Sequence, residues 1–319
     1  MTDTVIVTAI TSFLGYHVAQ AFASAGYRVV GTHHTPAYQR SSLQRARWEK
    51  LQESVTHFTP LDIAKPDEVR ALITKQNPRL WIHQAGLGKD FASDRYDLAE
   101  ANVINLLPLD AIYAGMADAG GTVLIAGSGM EYGASTCPNS EDAACWPQSP
   151  YGLARLAATL RARQLAQAYG VPTRIARIYT VFGELDRDDR LVTRLFGRLR
   201  SGDRIGIAPG VARDICDVAD VARGYLRLAA DSASGPIFDI FNLSRGTATP
   251  LLDLARLAAE QLRSAPDLVF EDTSMLRTNE PPIICGDSRK ALARLGWAAK
   301  PIAEGLARFE RAEFALGAL

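Results

Sequence analysis

Three side chains in the middle of this chain have the types and spacing needed to move a proton on and off an alcohol oxygen. Ser128 ends an apolar run, Tyr151 opens a helix-like stretch further on, and Arg155 follows Tyr151 by four residues. On a helix, residues four apart share a face, so the guanidinium can sit beside the phenol. Hydride transfer to or from a carbinol carbon needs a phenol to carry the hydroxyl proton and a second hydroxyl to hold the oxygen. It also needs a cation to bring the phenol down from its ordinary pKa of about 10. A guanidinium supplies the charge, but it is effectively always protonated and makes a poor proton relay.

A second constellation lies near the amino terminus. Thr8-Ala9-Ile10-Thr11-Ser12-Phe13-Leu14-Gly15 joins the apolar run Val5–Thr8 to an amphipathic stretch from Phe13 to Ala25, closed by Gly26. A strand-turn-helix there presents backbone N–H groups and a positive helix end to a pyrophosphate. Of a G-x-x-G-x-x-G pattern only Gly15 remains, with Ala9 and Ser12 in place of the first two glycines. Ser12 either crowds a phosphate or offers it a hydroxyl. After the next apolar run come His33 and His34, with Arg40 and Arg45 beyond. With no carboxylate there for the ribose hydroxyls, a 2′-phosphate is acceptable, which favours NADP over NAD.

The elements that must position these residues read as alternating strands and helices. Val5–Thr8, Tyr27–Gly31, Val55–Leu61, Leu80–His83, Thr122–Ala126 and Thr173–Ile178 are short runs rich in β-branched and other apolar residues. Asp67–Lys75, Asp97–Ala119 and Tyr151–Tyr169 have helical spacing between them. This predicts an α/β fold, a doubly wound parallel Rossmann sheet with both faces covered. The dinucleotide-binding part is expected over residues 1–178, with a returning segment near 214–243. Residues 179–319 are expected to form mainly a smaller carboxy-terminal substrate lobe, with helices at Leu191–Arg200, Asp217–Ala230 and Leu251–Arg263 and a strand at Ile237–Asn242.

Composition narrows the class. The chain has 319 residues, 35 Lys+Arg against 35 Asp+Glu, and 47% hydrophobic residues. The even charge balance argues against nucleic-acid binding while leaving room for a local phosphate pocket. No apolar run approaches the ~18 residues of a membrane span, so no membrane partner and a cytoplasmic address are expected. Cys137, Cys145, Cys216 and Cys285 have no metal-ligand spacing and read as free thiols; no metal is expected.

The order Ala126-Gly127-Ser128-Gly129-Met130-Glu131-Tyr132-Gly133, followed by Tyr151-Gly152-Leu153-Ala154-Arg155, resembles the extended short-chain dehydrogenase/reductases, the NAD-dependent epimerase/dehydratase family. There a Ser or Thr at a strand end precedes Tyr-Gly and then Tyr-x-x-x-Lys. The likeness runs along nearly the whole chain. It implies Ser128, Tyr151 and Arg155 as catalytic residues, with Arg155 where the family has lysine. On the resemblance alone, Arg155→Lys restores the family arrangement, and activity holds or rises. The implied dinucleotide contacts are Thr8, Ser12, Phe13, Leu14, Gly15, His33, Asp62, Ile63, Gln84, Ala85, Gly86, Asn102, Tyr151 and Arg155.

Arg177-Ile178-Tyr179-Thr180-Val181-Phe182-Gly183 resembles Arg-x-x-Asn-Val-Tyr-Gly, with Thr180 replacing the Asn that binds the substrate diphosphate. Arg213-Asp214-Ile215-Cys216-Asp217-Val218 resembles the segment whose Arg grips that diphosphate, a role suited to a forked donor. Arg277, with Gly286-Asp287-Ser288-Arg289-Lys290 and Leu295-Gly296-Trp297, resembles the nucleotide-binding tail. The implied substrate contacts are Ser128, Glu131, Thr180, Arg213 and Arg277, possible companions being Arg194 and Arg198 on the basic helix. The whole looks most like the 4-keto-6-deoxyhexose reductases, the GDP-4-keto-6-deoxy-D-mannose reductase group. This implies a nucleoside-diphosphate sugar of GDP or dTDP type reduced at C4 with NADP or NAD.

A sugar dehydratase ranks lower, because Gly129 and Met130 stand where its acidic residue belongs. A nucleotide-sugar epimerase using bound NAD is the enzyme alternative. A non-catalytic nucleotide-sugar or dinucleotide sensor is the alternative of another class, suggested by Ala9/Ser12, Thr180 and Arg155 together. The apolar stripes of 97–119 and 151–169 suit a homodimer through a four-helix bundle.

Overall fold

The computed structural model describes residues 3–55, 57–91, 93, 95–133, 138–276 and 281–315. Local chemistry sets many of its boundaries. Helix α1 (Phe13–Ser24) is capped by Ser12, whose hydroxyl accepts from the Gly15 N–H at 3.1 Å. Helix α2 (Ser42–Leu51) opens on a reciprocal capping box between Ser41 and Gln44. Helix α3 spans Pro66–Gln76. The expected single helix over 97–119 is two, α4 (Leu98–Asn105) and α5 (Pro108–Asp118). Pro108 has no N–H for the carbonyl one turn back, and its ring blocks the preceding turn, so the first helix must end before it. The long helix α6 (Pro150–Tyr169) is capped by Ser149 and stopped by Gly170 at φ 66°.

Seven strands make the main sheet: β1 (Thr4–Val7), β2 (Arg28–His33), β3 (His57–Pro60), β4 (Leu80–His83), β5 (Thr122–Ser128), β6 (Thr173–Ile178) and, after three strands that lie outside it, β10 (Phe238–Leu243). Their order is β10-β6-β5-β4-β1-β2-β3, and every neighbouring pair is parallel. The chain winds outward from β1 to β3, crosses back to β4 on the other side of β1, and winds outward again. That reversal opens a crevice at the carboxyl ends of β1 and β4, where ligands bind in such sheets.

Alternate side chains serve two cores. Val5, Val7, Ile82 and Leu124 pack toward α1 and helix α8 (Val218–Ser232), while Ile6, Trp81, Val123 and Ile125 pack toward α3, α5 and α6. Being apolar on both faces, the strands appear in the sequence as unbroken runs. A third core joins helices α7 (Leu191–Arg200), α9 (Leu251–Gln261) and α11 (Ile302–Ala315) through Leu195, Phe196, Leu254, Ala258 and Phe309. Two small sheets lie with it. Strands β7 (Thr180–Phe182), β11 (Ala248–Pro250) and β13 (Ile283–Ile284) surround β9 (Ala212–Asp217), and β8 (Ile205–Ile207) pairs with β12 (Val269–Glu271). No helix among the described residues is long and apolar enough to cross a membrane.

Candidate active site

The crevice between β1 and β4 is tied by one hydroxyl. Thr8 Oγ1, fully buried at the end of β1, accepts from the Gln84 and Ala85 N–H groups, each at 2.8 Å. Ala9 follows with φ 50°, the left-handed conformation for which a glycine is suited. A side chain there costs roughly 1–2 kcal/mol, and the turn keeps its shape regardless. Gly15 is required by space, since a Cβ on it would lie 2.3 Å from the Ala9 carbonyl oxygen. The turn therefore has the form of a pyrophosphate cradle, with the Ser12 hydroxyl on its rim already engaging the Gly15 N–H.

Phe13 and Leu14 lie behind the cradle: Phe13 meets His17 edge-on, with ring centres 5.1 Å apart, and Leu14 packs on the core. Arg47, which sequence reasoning passed over, is buried and donates to Thr11 O at 2.9 Å and to Leu185 O at 2.5 Å. It ties the cradle to the loop that borders the cavity described below.

At the end of β2, half-buried His33 meets the Trp48 ring edge-on at 5.1 Å, and the buried Arg40 guanidinium lies 3.6 Å from the same ring's centre. Burial, then the Arg40 charge, lowers the His33 imidazole below its ordinary value. Arg45 is exposed. Asp62 and Ile63 follow β3, where the Asp62 carboxylate accepts from Ala64 N at 3.1 Å. Asn102 is exposed on α4, whereas Asn105, three residues later, faces inward, its Oδ1 accepting from Leu87 N at 3.1 Å. The Asp97 cap fixes where α4 starts and so which Asn is inside.

The three proton-transfer candidates meet at the ends of β4 and β5. Ser128 ends β5, mostly buried, and its Oγ accepts from Met130 N at 3.1 Å. Tyr151, on the first turn of α6, is held edge-on by Phe91 and Tyr96, each with ring centres 5.7 Å away. The Arg155 guanidinium lies 5.2 Å from the Tyr151 ring centre, and its Nη1 donates to Ala126 O at 3.3 Å. His83 is buried nearby, and burial, then the Arg155 charge, holds its pKa down to about 3. Both His83 ring nitrogens and Arg155 Nε are buried without a hydrogen-bond partner. Orphaned polar atoms beside a phosphate-type cradle fit a polar ligand such as a nicotinamide dinucleotide.

Glu131 is fully buried, accepting from Ser128 N at 2.8 Å, Thr159 Oγ1 at 3.0 Å and Arg177 Nε at 2.9 Å. Burial works against the Arg177 charge most strongly, but Glu131, Tyr132 and Cys145 together outweigh it and the guanidinium is raised. Glu131 thus shapes the turn that carries Ser128. The Ser128-x-x-Glu131 spacing is a capping-box signature that sequence inspection could have recognised.

Beyond Phe91 opens a cavity of about 410 Å³, which Phe91, Thr180, Arg190, Arg194 and Arg213 help to line. Ser128 and Tyr151 do not line it; Phe91 stands between it and the phenol. Four arginines (187, 190, 194 and 213) face two aspartates (186 and 189) in its wall, and Arg194 Nε is buried without a partner. This surplus suits a diphosphate. Arg213, mostly buried, braces the wall by donating from Nη1 to Ala212 O and Pro282 O, both at 2.8 Å. Arg277 and Cys137 lie outside the described residues; Met275 and Leu276, just before Arg277, line the cavity.

Arg213→Ala is expected to weaken nucleotide-sugar binding by about 2–3 kcal/mol, the scale of a charge-assisted contact, and to leave dinucleotide affinity nearly unchanged. Equal losses for both ligands in calorimetry would put Arg213 in the wrong pocket.

Comparison with known proteins identifies the family. The model of the NAD dependent epimerase/dehydratase family matches residues 5–244. The GDP-6-deoxy-D-mannose reductase of Pseudomonas aeruginosa is 26% identical over 310 residues, covering 93% of this chain and 92% of that protein. UDP-glucuronate 4-epimerase 4 of Arabidopsis thaliana is 27% identical over 333 residues, covering 97% of this chain and 74% of that protein. Among solved structures, the UDP-glucuronic acid 4-epimerase from Bacillus cereus in complex with UDP-glucuronic acid and NAD shares the fold. Its TM-score is 0.81 at 22% identity, over 98% of this chain and 99% of that one.

Proposed function

Because the chain belongs to the NAD dependent epimerase/dehydratase family, we propose that it is an oxidoreductase that reduces C4 of a 4-keto-6-deoxyhexose carried on a nucleoside diphosphate. One observation carries this reading: Tyr151 sits between the Arg155 cation, at the dinucleotide crevice, and Phe91, at the edge of the arginine-lined cavity. A bound nicotinamide supplies the hydride. Tyr151 gives its phenolic proton to the oxygen on C4, so that the ketone becomes an alcohol. The Ser128 hydroxyl orients that oxygen. The Arg155 guanidinium stands 5.2 Å from the Tyr151 ring centre, and Phe91 and Tyr96 shield the phenol's edges from water.

His33 presents no negative charge to a 2′-phosphate, and the Arg40 cation stands beside it on Trp48; both support NADP as well as NAD. The likeness to a GDP-sugar reductase, over 93% of this chain and 92% of that protein, supports the reductase. The likeness to a UDP-glucuronate 4-epimerase favours a second reading, C4 epimerisation with retained NAD. A nicotinamide absorbance assay over GDP-, dTDP- and UDP-linked 4-keto sugars separates them: stoichiometric oxidation of the dinucleotide supports the reductase, and epimer formation without net oxidation supports the rival.

A homodimer through α4 and α6 is part of the same proposal. The two helices pack together, and Val103, Leu107, Leu153 and Leu160 are exposed on them or at their edge. A second copy of this pair would cover them in a four-helix bundle. Light scattering is expected to give twice the chain mass of 34.6 kDa, and a monomer at micromolar concentration would contradict it.

A further inference from the structure

Gly86 leaves open a space that the Arg155 guanidinium occupies, rather than supplying backbone freedom. Its φ is not in the left-handed region, so an L side chain meets no conformational bar there. A Cβ at this position, however, would lie 2.6 Å from Arg155 Nη2, 2.9 Å from Nη1 and 3.0 Å from Cζ. The guanidinium is thus stacked directly over the Gly86 backbone. Its other neighbours are fixed: the Ala126 carbonyl, 3.3 Å from Nη1, belongs to β5, and the Tyr151 ring, 5.2 Å away, is wedged between Phe91 and Tyr96.

We propose that Gly86 and Arg155 act as one unit, in which the missing side chain at 86 opens the seat that holds the guanidinium against Tyr151. The enzyme then carries a guanidinium by construction where the resemblance puts a lysine. Gly86 is the positioning residue, and Arg155 delivers its effect on the phenol. The geometry stands by itself; the consequence for turnover rests on the proposed function.

The seat reverses what the resemblance implies for Arg155→Lys. A lysine places a compact ammonium on a shorter reach and leaves the space over Gly86 empty. It cannot both meet the Ala126 carbonyl and lie along the Tyr151 ring as the planar fork does. A Cβ at 86 fills that space, so alanine there is expected to cost little beside lysine. Conversely, Gly86→Ala in the native background pushes the guanidinium out of its seat.

The test is a double-mutant cycle on the full chain, comparing wild type, Gly86→Ala, Arg155→Lys and the double variant. The melting temperature without any ligand is read first, then dinucleotide affinity and turnover. Gly86→Ala is expected to lower Tm by about 2–4 °C in the arginine background and by almost nothing in the lysine background. It is expected to lower kcat about 10–100-fold with arginine present, the effect of misplacing a group by about 1 Å. In the double variant, affinity and kcat are expected to exceed those of either single variant. Should Gly86→Ala fail to fold, recovery of folded protein in the double variant is the same rescue.

Equal Tm losses in both backgrounds, or no effect of Gly86→Ala beside Arg155, would overturn the coupling. A coupled Tm with turnover indifferent to Gly86→Ala would overturn the positioning role. Absence of dinucleotide binding in the wild type would defeat the proposed function instead, and the ligand-free Tm cycle would still decide the coupling.

Discussion

Tyr151→Phe is expected to lower turnover by about 10²–10⁴-fold, the range for loss of a positioned general acid, while folding and both binding affinities hold. The substitution removes one oxygen and its proton from a half-buried ring. The edge-on contacts with Phe91 and Tyr96 are made by the part that remains, and only the hydroxyl's interaction with the Arg155 guanidinium is lost. Binding is therefore uniform between the two forms, and the loss falls on kcat with KM little changed. A variant that keeps more than about a tenth of the turnover would show that another group donates the proton.

Glu131→Ala is expected to cost about 3–5 kcal/mol of folding stability, the penalty for leaving a buried charge uncompensated. Arg177, its partner at 2.9 Å, is itself buried and already has Nη1 without a hydrogen-bond acceptor. The change also strips an acceptor from Ser128 N and Thr159 Oγ1, so the turn carrying Ser128 loosens along with the core. Denaturant unfolding measures the loss directly. Replacing the pair together, Glu131→Leu with Arg177→Met, should recover most of it, because two apolar groups of similar volume leave no orphaned charge. Intact stability with lost nucleotide-sugar binding would return Glu131 to the substrate pocket, where the resemblance had placed it.

Strands β1, β4 and β5 were legible because burial on both faces writes them as continuous apolar runs, and the helices between the strands by their spacing. Ser128, Tyr151 and Arg155 were legible because a strand end and a helix start place them, and both boundaries carry local signals. What was hidden depends on contacts far apart in the chain. Nothing near Arg47 distinguishes it from exposed Arg45; its acceptor at Leu185 is 138 residues away. Asn102 and Asn105 differ by less than one helical turn, so the face each takes depends on where the Asp97 cap sets the start. Helix α2 escaped notice because its sequence, SLQRARWEKL, shows little apolar face. Gly86 looked like one more residue of a strand end until the space above it was seen to be filled by Arg155.

The most direct measurement follows the transferred atom. The protein is given a reduced nicotinamide dinucleotide carrying deuterium at the transferable position, together with a nucleotide-linked 4-keto-6-deoxyhexose, and the sugar is examined by NMR. Hydride transfer to C4 predicts deuterium on that carbon, in proportion to the dinucleotide oxidised and absent in Tyr151→Phe. Clear binding of both ligands with no deuterium on the sugar would contradict the reductase and leave a protein that senses the pair without joining them.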